Sequence, residues 1–116
     1  MVFQVRVLNW LRANMIYTLS AILEIMLVER ADGLHLHPGE KPVVEVARNL
    51  FRVSGPRMEP GEIEVLLRQI ATREEFREFL TSQMVSCRHR VPGKAWFNIL
   101  AFREQGQIRL EIRSIP

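Results

Sequence analysis

From Ile108 to Arg113 apolar and charged residues alternate without a break, with Ile108, Leu110 and Ile112 on one side and Arg109, Glu111 and Arg113 on the other. A period of two is the signature of a strand with one dry face and one wet face, and a one-residue slip would turn every side chain the wrong way. Two more segments lead into it. Met84 to Arg90 runs into Val91-Pro92-Gly93-Lys94, where proline fixes the first turn dihedral and glycine accepts a positive φ; Ala95 to Phe102 then returns towards the turn Glu104-Gln105-Gly106. The C-terminal third is therefore a three-stranded antiparallel meander, and its dry face demands a cover.

The rest of the chain supplies one. Glu59-Pro60-Gly61-Glu62 opens a helix, because proline in the first turn forfeits no hydrogen bond and acidic groups suit the positive end of the helix dipole. Ile63, Leu66, Leu67 and Ile70 form its core face. A second helix follows at Thr72, whose hydroxyl caps while Glu75 completes a capping box; Phe76, Phe79 and Leu80 are its expected buried face. Upstream, Leu34 to His37 alternates and stops at Pro38-Gly39, and Val43 to Val46 and Leu50 to Val53 read as two further strands. Ala47-Arg48-Asn49 turns the chain between them, with Asn49 assigned the left-handed conformation, and Ser54-Gly55-Pro56 closes the hairpin. At the start, Phe3, Val5 and Val7 alternate as a short strand. Leu8, Leu11, Met15, Leu19, Ile22 and Met26 then share one face of a long helix capped at Asn9 or Asn14, and Ile16, Leu23 and Leu27 widen that face. The predicted fold class is α+β, a mainly antiparallel sheet with helices packed on one face.

With 116 residues the chain buries roughly two thirds of the surface its unfolded form exposes, enough for one core. The single thiol, Cys87, excludes an internal disulfide and favours a reducing compartment, so a cytoplasmic location is expected. The apolar run from Met15 to Val28 is fourteen residues long and contains Glu24, too short and too polar for a membrane span. Net charge is only +3, but the cations are unevenly placed: Ser86 to Pro116 holds six (Arg88, Arg90, Lys94, Arg103, Arg109, Arg113) against Glu104 and Glu111. That imbalance marks Arg88, Arg90, Lys94 and Arg103 as a candidate partner or anion surface.

Catalytic and metal motifs are sparse. The six glycines at 33, 39, 55, 61, 93 and 106 stand singly, and nothing matches G-x-x-x-x-G-K-[ST], so the chain lacks the cradle that positions a nucleotide for phosphoryl transfer. His35 and His37 share one strand face and Cys87 and His89 another, a donor set that would suit zinc if the two strands were neighbours. Glu62, Glu64, Glu74 and Glu75 lie in first helical turns, where dipole complementarity accounts for them. No metal, cofactor or catalytic residue is expected.

Several segments, in colinear order from about Thr18 to Pro116, carry a resemblance. They are Ala31-Asp32-Gly33-Leu34-His35-Leu36, Pro42 to Val53, the two helices, Val91-Pro92-Gly93-Lys94-Ala95, Ala101-Phe102 and Arg113-Ser114-Ile115-Pro116. Together they resemble the N-terminal, PAS-like domain of type IV pilus retraction ATPases, within the type II/IV secretion ATPase family. The resemblance implies a PAS-like domain over residues 14–116, preceded by an N-terminal extension over 1–13. It also implies a RecA-like ATPase core or a family ATPase as partner, and a homo-oligomer. The chain departs from the family pattern at Gly33, where an acid is usual, and at Trp96 and Asn98, where the family has arginines. Arg113 matches the family's closing Arg-x-Ile-Pro, which implies a nucleotide-phosphate or interdomain contact.

The expected function is therefore a non-catalytic assembly module of type IV pilus (twitching motility) or type II secretion ATPase machinery. The alternative is a small basic nucleic-acid-binding domain, motivated by Trp96 and Phe97 amid Arg88, Arg90 and Arg103. A ligand-sensing pocket of the PAS kind ranks third. The extension is expected to bury Phe3, Val5, Trp10 and Leu11, in the domain or in a homodimer.

Overall fold

The computed structural model describes Val2–Gln4 and Tyr17–Pro116. Seven strands form one sheet: β1 (Val2–Gln4), β2 (Gly33–Leu36), β3 (Val43–Val46), β4 (Asn49–Arg52), β5 (Met84–Val91), β6 (Ala95–Glu104) and β7 (Gln107–Ile115), in the order β1-β4-β3-β2-β7-β6-β5. Every neighbouring pair is antiparallel except β1, which joins the edge of β4 in parallel register. The described residues also form three helices: α1 (Leu19–Glu29), α2 (Pro60–Ile70) and α3 (Arg73–Ser82). The α+β class and the C-terminal meander stand as predicted.

Alternation decides which face of the sheet is covered. Val85 and Cys87 of β5, Phe97, Ile99 and Ala101 of β6, Ile108, Leu110 and Ile112 of β7 and Leu34 and Leu36 of β2 all turn inward. They join Ile22, Met26, Ile63, Leu67 and Phe79 of the helices in a single hydrophobic cluster. Among the described residues no helix lies on the opposite face of the sheet.

Helix starts follow local chemistry. Thr72 Oγ1 accepts from the Glu75 amide at 3.1 Å while Glu75 Oε1 accepts from the Thr72 amide at 2.8 Å, the predicted capping box. Glu59 and Glu62 form a second one ahead of α2. At α1 the sequence expectation is corrected: the helix starts at Leu19, capped by Thr18 Oγ1 accepting from Ala21 N–H at 3.1 Å, with Tyr17 and Thr18 extended, so one helix does not run from Leu8 to Met26. The proposed caps Asn9 and Asn14 lie outside the described residues, as do Leu8, Leu11 and Met15. The N-terminal strand appears at Val2–Gln4, with Val5 and Val7 likewise outside.

Two further expectations change. Phe79 is fully buried, but its neighbour Leu80 is 53% exposed: with Phe79 turned squarely onto the core, the step of about 100° to the next residue carries Leu80 round to solvent. The β3–β4 turn uses Ala47 (φ 50°) and Arg48 (φ 69°), whereas Asn49 is already in the strand. Two successive positive φ values define the hairpin turn whose twist matches the strands. The strain is met by Asp32, whose Oδ2 accepts from the Ala47 amide at 3.0 Å. Arg48→Gly should therefore stabilise the domain by about 0.5–1 kcal/mol, raising the melting temperature by a few degrees in a calorimetric scan.

Tyr17, only 3% exposed, ties the start of the domain to the loop after β4: its hydroxyl donates to Pro56 O at 2.6 Å. Burial, with a smaller contribution from the Glu62 carboxylate, pushes its pKa up to about 12. Burial, reinforced by Glu75 and Glu78, pushes the Cys87 thiol up to about 12 as well. Both groups hold their protons more tightly folded than unfolded, so their stabilisation is complete below the unfolded pKa and is lost as pH rises through the folded one. Chemical denaturation should accordingly give a plateau up to about pH 9 and a progressive loss of stability between about pH 9 and 12.

Candidate interaction surface

The outward residues of β5, β6 and β7 lie in rows fixed by the strand register. Arg90 stands opposite Trp96 and Trp96 opposite Ile115; Arg88, Asn98 and Arg113 form the next row. Ser86, Leu100 and Glu111 follow, continued by His35 of β2, and Met84, Phe102 and Arg109 form the last. Along β6 this places Trp96, Leu100 and Phe102 on the uncovered side, beside Met84. Trp96 is 48% and Met84 53% exposed. Exposed apolar residues scattered singly are ordinary, but grouped on one sheet face they mark a contact surface.

The charged residues around this strip are ordered by their own pairs. The Arg90 guanidinium lies 5.9 Å from the Trp96 ring centre. Arg109 Nη1 is 2.8 Å from Glu104 Oε1. Arg113 reaches across β2, its Nη1 donating to Glu45 Oε1 of β3 at 3.2 Å. It can do so because Gly33 lies between them: a Cβ there would sit 2.9 Å from Arg113 Nη1. His35 occupies the next row, with Nε2 3.5 Å from Glu45 Oε1 and Nδ1 3.7 Å from Glu111 Oε1.

The five cations singled out from sequence therefore divide. Arg88, Arg90 and Arg113 share the uncovered face. Lys94 sits in the β5–β6 turn, beside a groove of about 280 Å³ between that turn and α1, lined by Leu19, Leu23, Leu27 and His89. Arg103 belongs to the helix-covered side, where its guanidinium lies 5.3 Å from the Phe79 ring centre and its Nη1 donates to Gly106 O at 3.2 Å.

The zinc arrangement does not form. His35 is on β2 and Cys87 and His89 are on β5, separated by β7 and β6. Cys87 points into the core while His35 is on the other face, so the donors do not converge. Among the described residues no group of three His, Cys, Asp or Glu side chains is placed to hold a metal ion. No described helix is long and apolar enough to cross a membrane.

The sequence reading passed over Leu100, Phe102 and Met84. A signal was present in β6, which is apolar at both parities; strands covered on both faces read this way, whereas half-exposed ones alternate.

The α+β sheet with the described helices on one side is a fold shared with part of solved pilus and secretion ATPases. The pilus retraction motor PilT, solved with bound ADP, superposes with a TM-score of 0.75 at 21% identity, over 82% of this chain and 28% of that one. The Legionella pneumophila ATPase DotB gives 0.75 at 17% identity, over 100% of this chain and 32% of that one. The Yersinia pseudotuberculosis ATPase DotB gives 0.63 at 18%, over 88% and 31%.

Sequence narrows the likeness to a particular relative. The type IV pilus retraction ATPase PilT of Pseudomonas aeruginosa is 28% identical over 101 residues, a match covering 84% of this chain, and the chain is homologous to that protein over most of its length. It spans 28% of that relative. No family model matches.

Proposed function

We propose that this chain is a non-catalytic assembly module of type IV pilus or secretion ATPase machinery, in which residues 14–116 pack against an ATPase core or a neighbouring subunit. One observation carries the reading: β6 is apolar at both parities, yet the helices of the described residues cover only one face, so Trp96, Leu100 and Phe102 are built for a second cover. The homology to a motor ATPase supplies the kind of cover, and the missing G-x-x-x-x-G-K-[ST] motif supports a role without hydrolysis by this sequence itself. Arg88 and Arg90 beside the strip steer an acidic rim onto it. Arg113 is proposed as the interdomain or nucleotide-phosphate contact, reached by exchanging Glu45 for the incoming anion.

Mixing the chain with the purified Pseudomonas aeruginosa retraction ATPase, or with its core, should give a complex in light scattering. Failure to associate, or ATP hydrolysis by the chain alone, would overturn the proposal. Nucleic-acid binding is the weaker reading, because Arg90 already occupies the Trp96 ring and Arg103 lies on the opposite face. An oligonucleotide should give no salt-sensitive anisotropy change.

A further inference from the structure

At the far side of the sheet from Trp96, two loops are joined backbone to backbone. The Gly39 amide donates to Met58 O at 2.7 Å, the Met58 amide to Glu40 O at 2.8 Å and the Val53 amide to Pro42 O at 2.9 Å. Met58 and Val53 are completely buried, which anchors both loops in the core. Arg57 adds a further brace, its Nη1 donating to Gly39 O at 3.2 Å.

Against this fixed wall lies a cavity of about 260 Å³ lined by Glu40, Lys41, Val43, Arg52 and Arg57. Three cations face one carboxylate, a net charge of +2, and that carboxylate is already engaged, with Glu40 Oε2 3.0 Å from His37 Nδ1. Lys41 and Arg52 form no ion pair among the described residues. The register explains the convergence: Val43 is paired with Arg52, so the strand side chain and the loop lysine approach one point from different segments. A second cavity, also about 260 Å³, shares Glu40, Lys41 and Val43 and continues onto Leu50, two residues before Arg52 on the same side of β4. The result is one bay with a cationic half and an apolar half.

We propose that this bay binds an organic phosphate, with the phosphate group between Lys41, Arg52 and Arg57 and the attached apolar or ring-bearing part on Val43 and Leu50. The charge count selects the phosphate. A dianion with three terminal oxygens satisfies an ammonium and two guanidinium forks at once, whereas a carboxylate has one charge and two oxygens to offer. The apolar half selects an ester over the free ion, because only an ester has a part to place on Leu50. Two sources share this chemistry, a nucleoside monophosphate and a phospholipid that ends in a phosphate monoester, and they are separable by experiment. The bay is bordered by His35 and His37 and includes none of Arg113, Trp96, Leu100 and Phe102, so the inference does not rest on the assembly role.

The test is titration calorimetry on the full chain with adenosine monophosphate and with inorganic phosphate, together with sedimentation against phosphatidic acid and phosphatidylcholine vesicles. Adenosine monophosphate, or the anionic vesicle alone, is expected to bind, and whichever does so identifies the source. The double variant Lys41→Ala, Arg52→Ala should weaken that binding at least tenfold. Leu50→Ser should weaken binding of the ester and leave inorganic phosphate unchanged. Lys41 and Arg52 form no ion pair among the described residues, and an unchanged thermal melt confirms that each variant is folded. No binding by either probe, binding indifferent to the double variant, or equal effects of Leu50→Ser on ester and free phosphate would overturn the inference.

Discussion

Trp96→Glu is expected to abolish detectable association with the ATPase partner while leaving the melting temperature within about 2 °C of the parent. The side chain is half exposed on a sheet face that no described helix covers, so its replacement leaves the domain's own core intact. Its loss removes the largest apolar group of the proposed contact and leaves a carboxylate to be buried without a planned partner. Truncating such an anchor costs about 2–4 kcal/mol of binding, roughly 30- to 1,000-fold in affinity. The glutamate would also sit beside Arg90, which at present lies over the indole ring, and their pairing would keep the variant folded. Light scattering of the mixture and a thermal scan of the variant alone give both readouts. Unchanged association would remove the uncovered face from the proposed interface.

Phe79→Ala is expected to have the largest effect on stability. Phe79 is the sole buried residue of α3, fully enclosed, with Phe76 6.2 Å away between ring centres and Arg103 over its face. Removing a buried phenyl ring costs about 3–5 kcal/mol through lost transfer energy and the cavity left behind. For a domain of this size that is a fall of roughly 15–25 °C in melting temperature. Because the other core contact of α3, Phe76, is only partly buried, the variant should also lose protection from hydrogen exchange in α3 before it does so in β6 and β7. A loss under about 1 kcal/mol would mean that α3 is held by something other than the Phe79 ring.

These two residues also show what the sequence disclosed and what it kept. Phe79 was legible as core because capping at Thr72 and Glu75 fixes where α3 starts, and the helical period then sets the inward face. β7 was legible because its two parities differ in polarity, and the Pro92-Gly93 turn because proline fixes φ and glycine admits a positive one: Gly93 has φ 72° and the Lys94 amide donates to Val91 O at 3.0 Å. Positions whose conformation is imposed from a distance were not legible. Ala47 and Arg48 have no intrinsic reason to adopt positive φ; Asp32, fifteen residues away, holds the turn. Met58 reads as an ordinary loop residue, and only its backbone pairing with Gly39 and Glu40 takes it inside. Strand order is equally nonlocal, which is why two same-spaced donor pairs suggested a metal site that the sheet keeps apart. For the candidate surface, the cations were visible in sequence but their division between two faces was not, since parity along β6 is ambiguous when both sides are apolar.

Gly33 has a consequence for how the uncovered face responds to a ligand. By leaving the lane over β2 empty, it lets Arg113 spend its charge on Glu45, whose other neighbour is His35. An anion that captures the guanidinium at the last strand must break that bond and leave the carboxylate facing the imidazole alone. Capture at one column of the sheet is thus registered two columns away, and a bulkier residue at position 33 would cut the line of communication without touching either end.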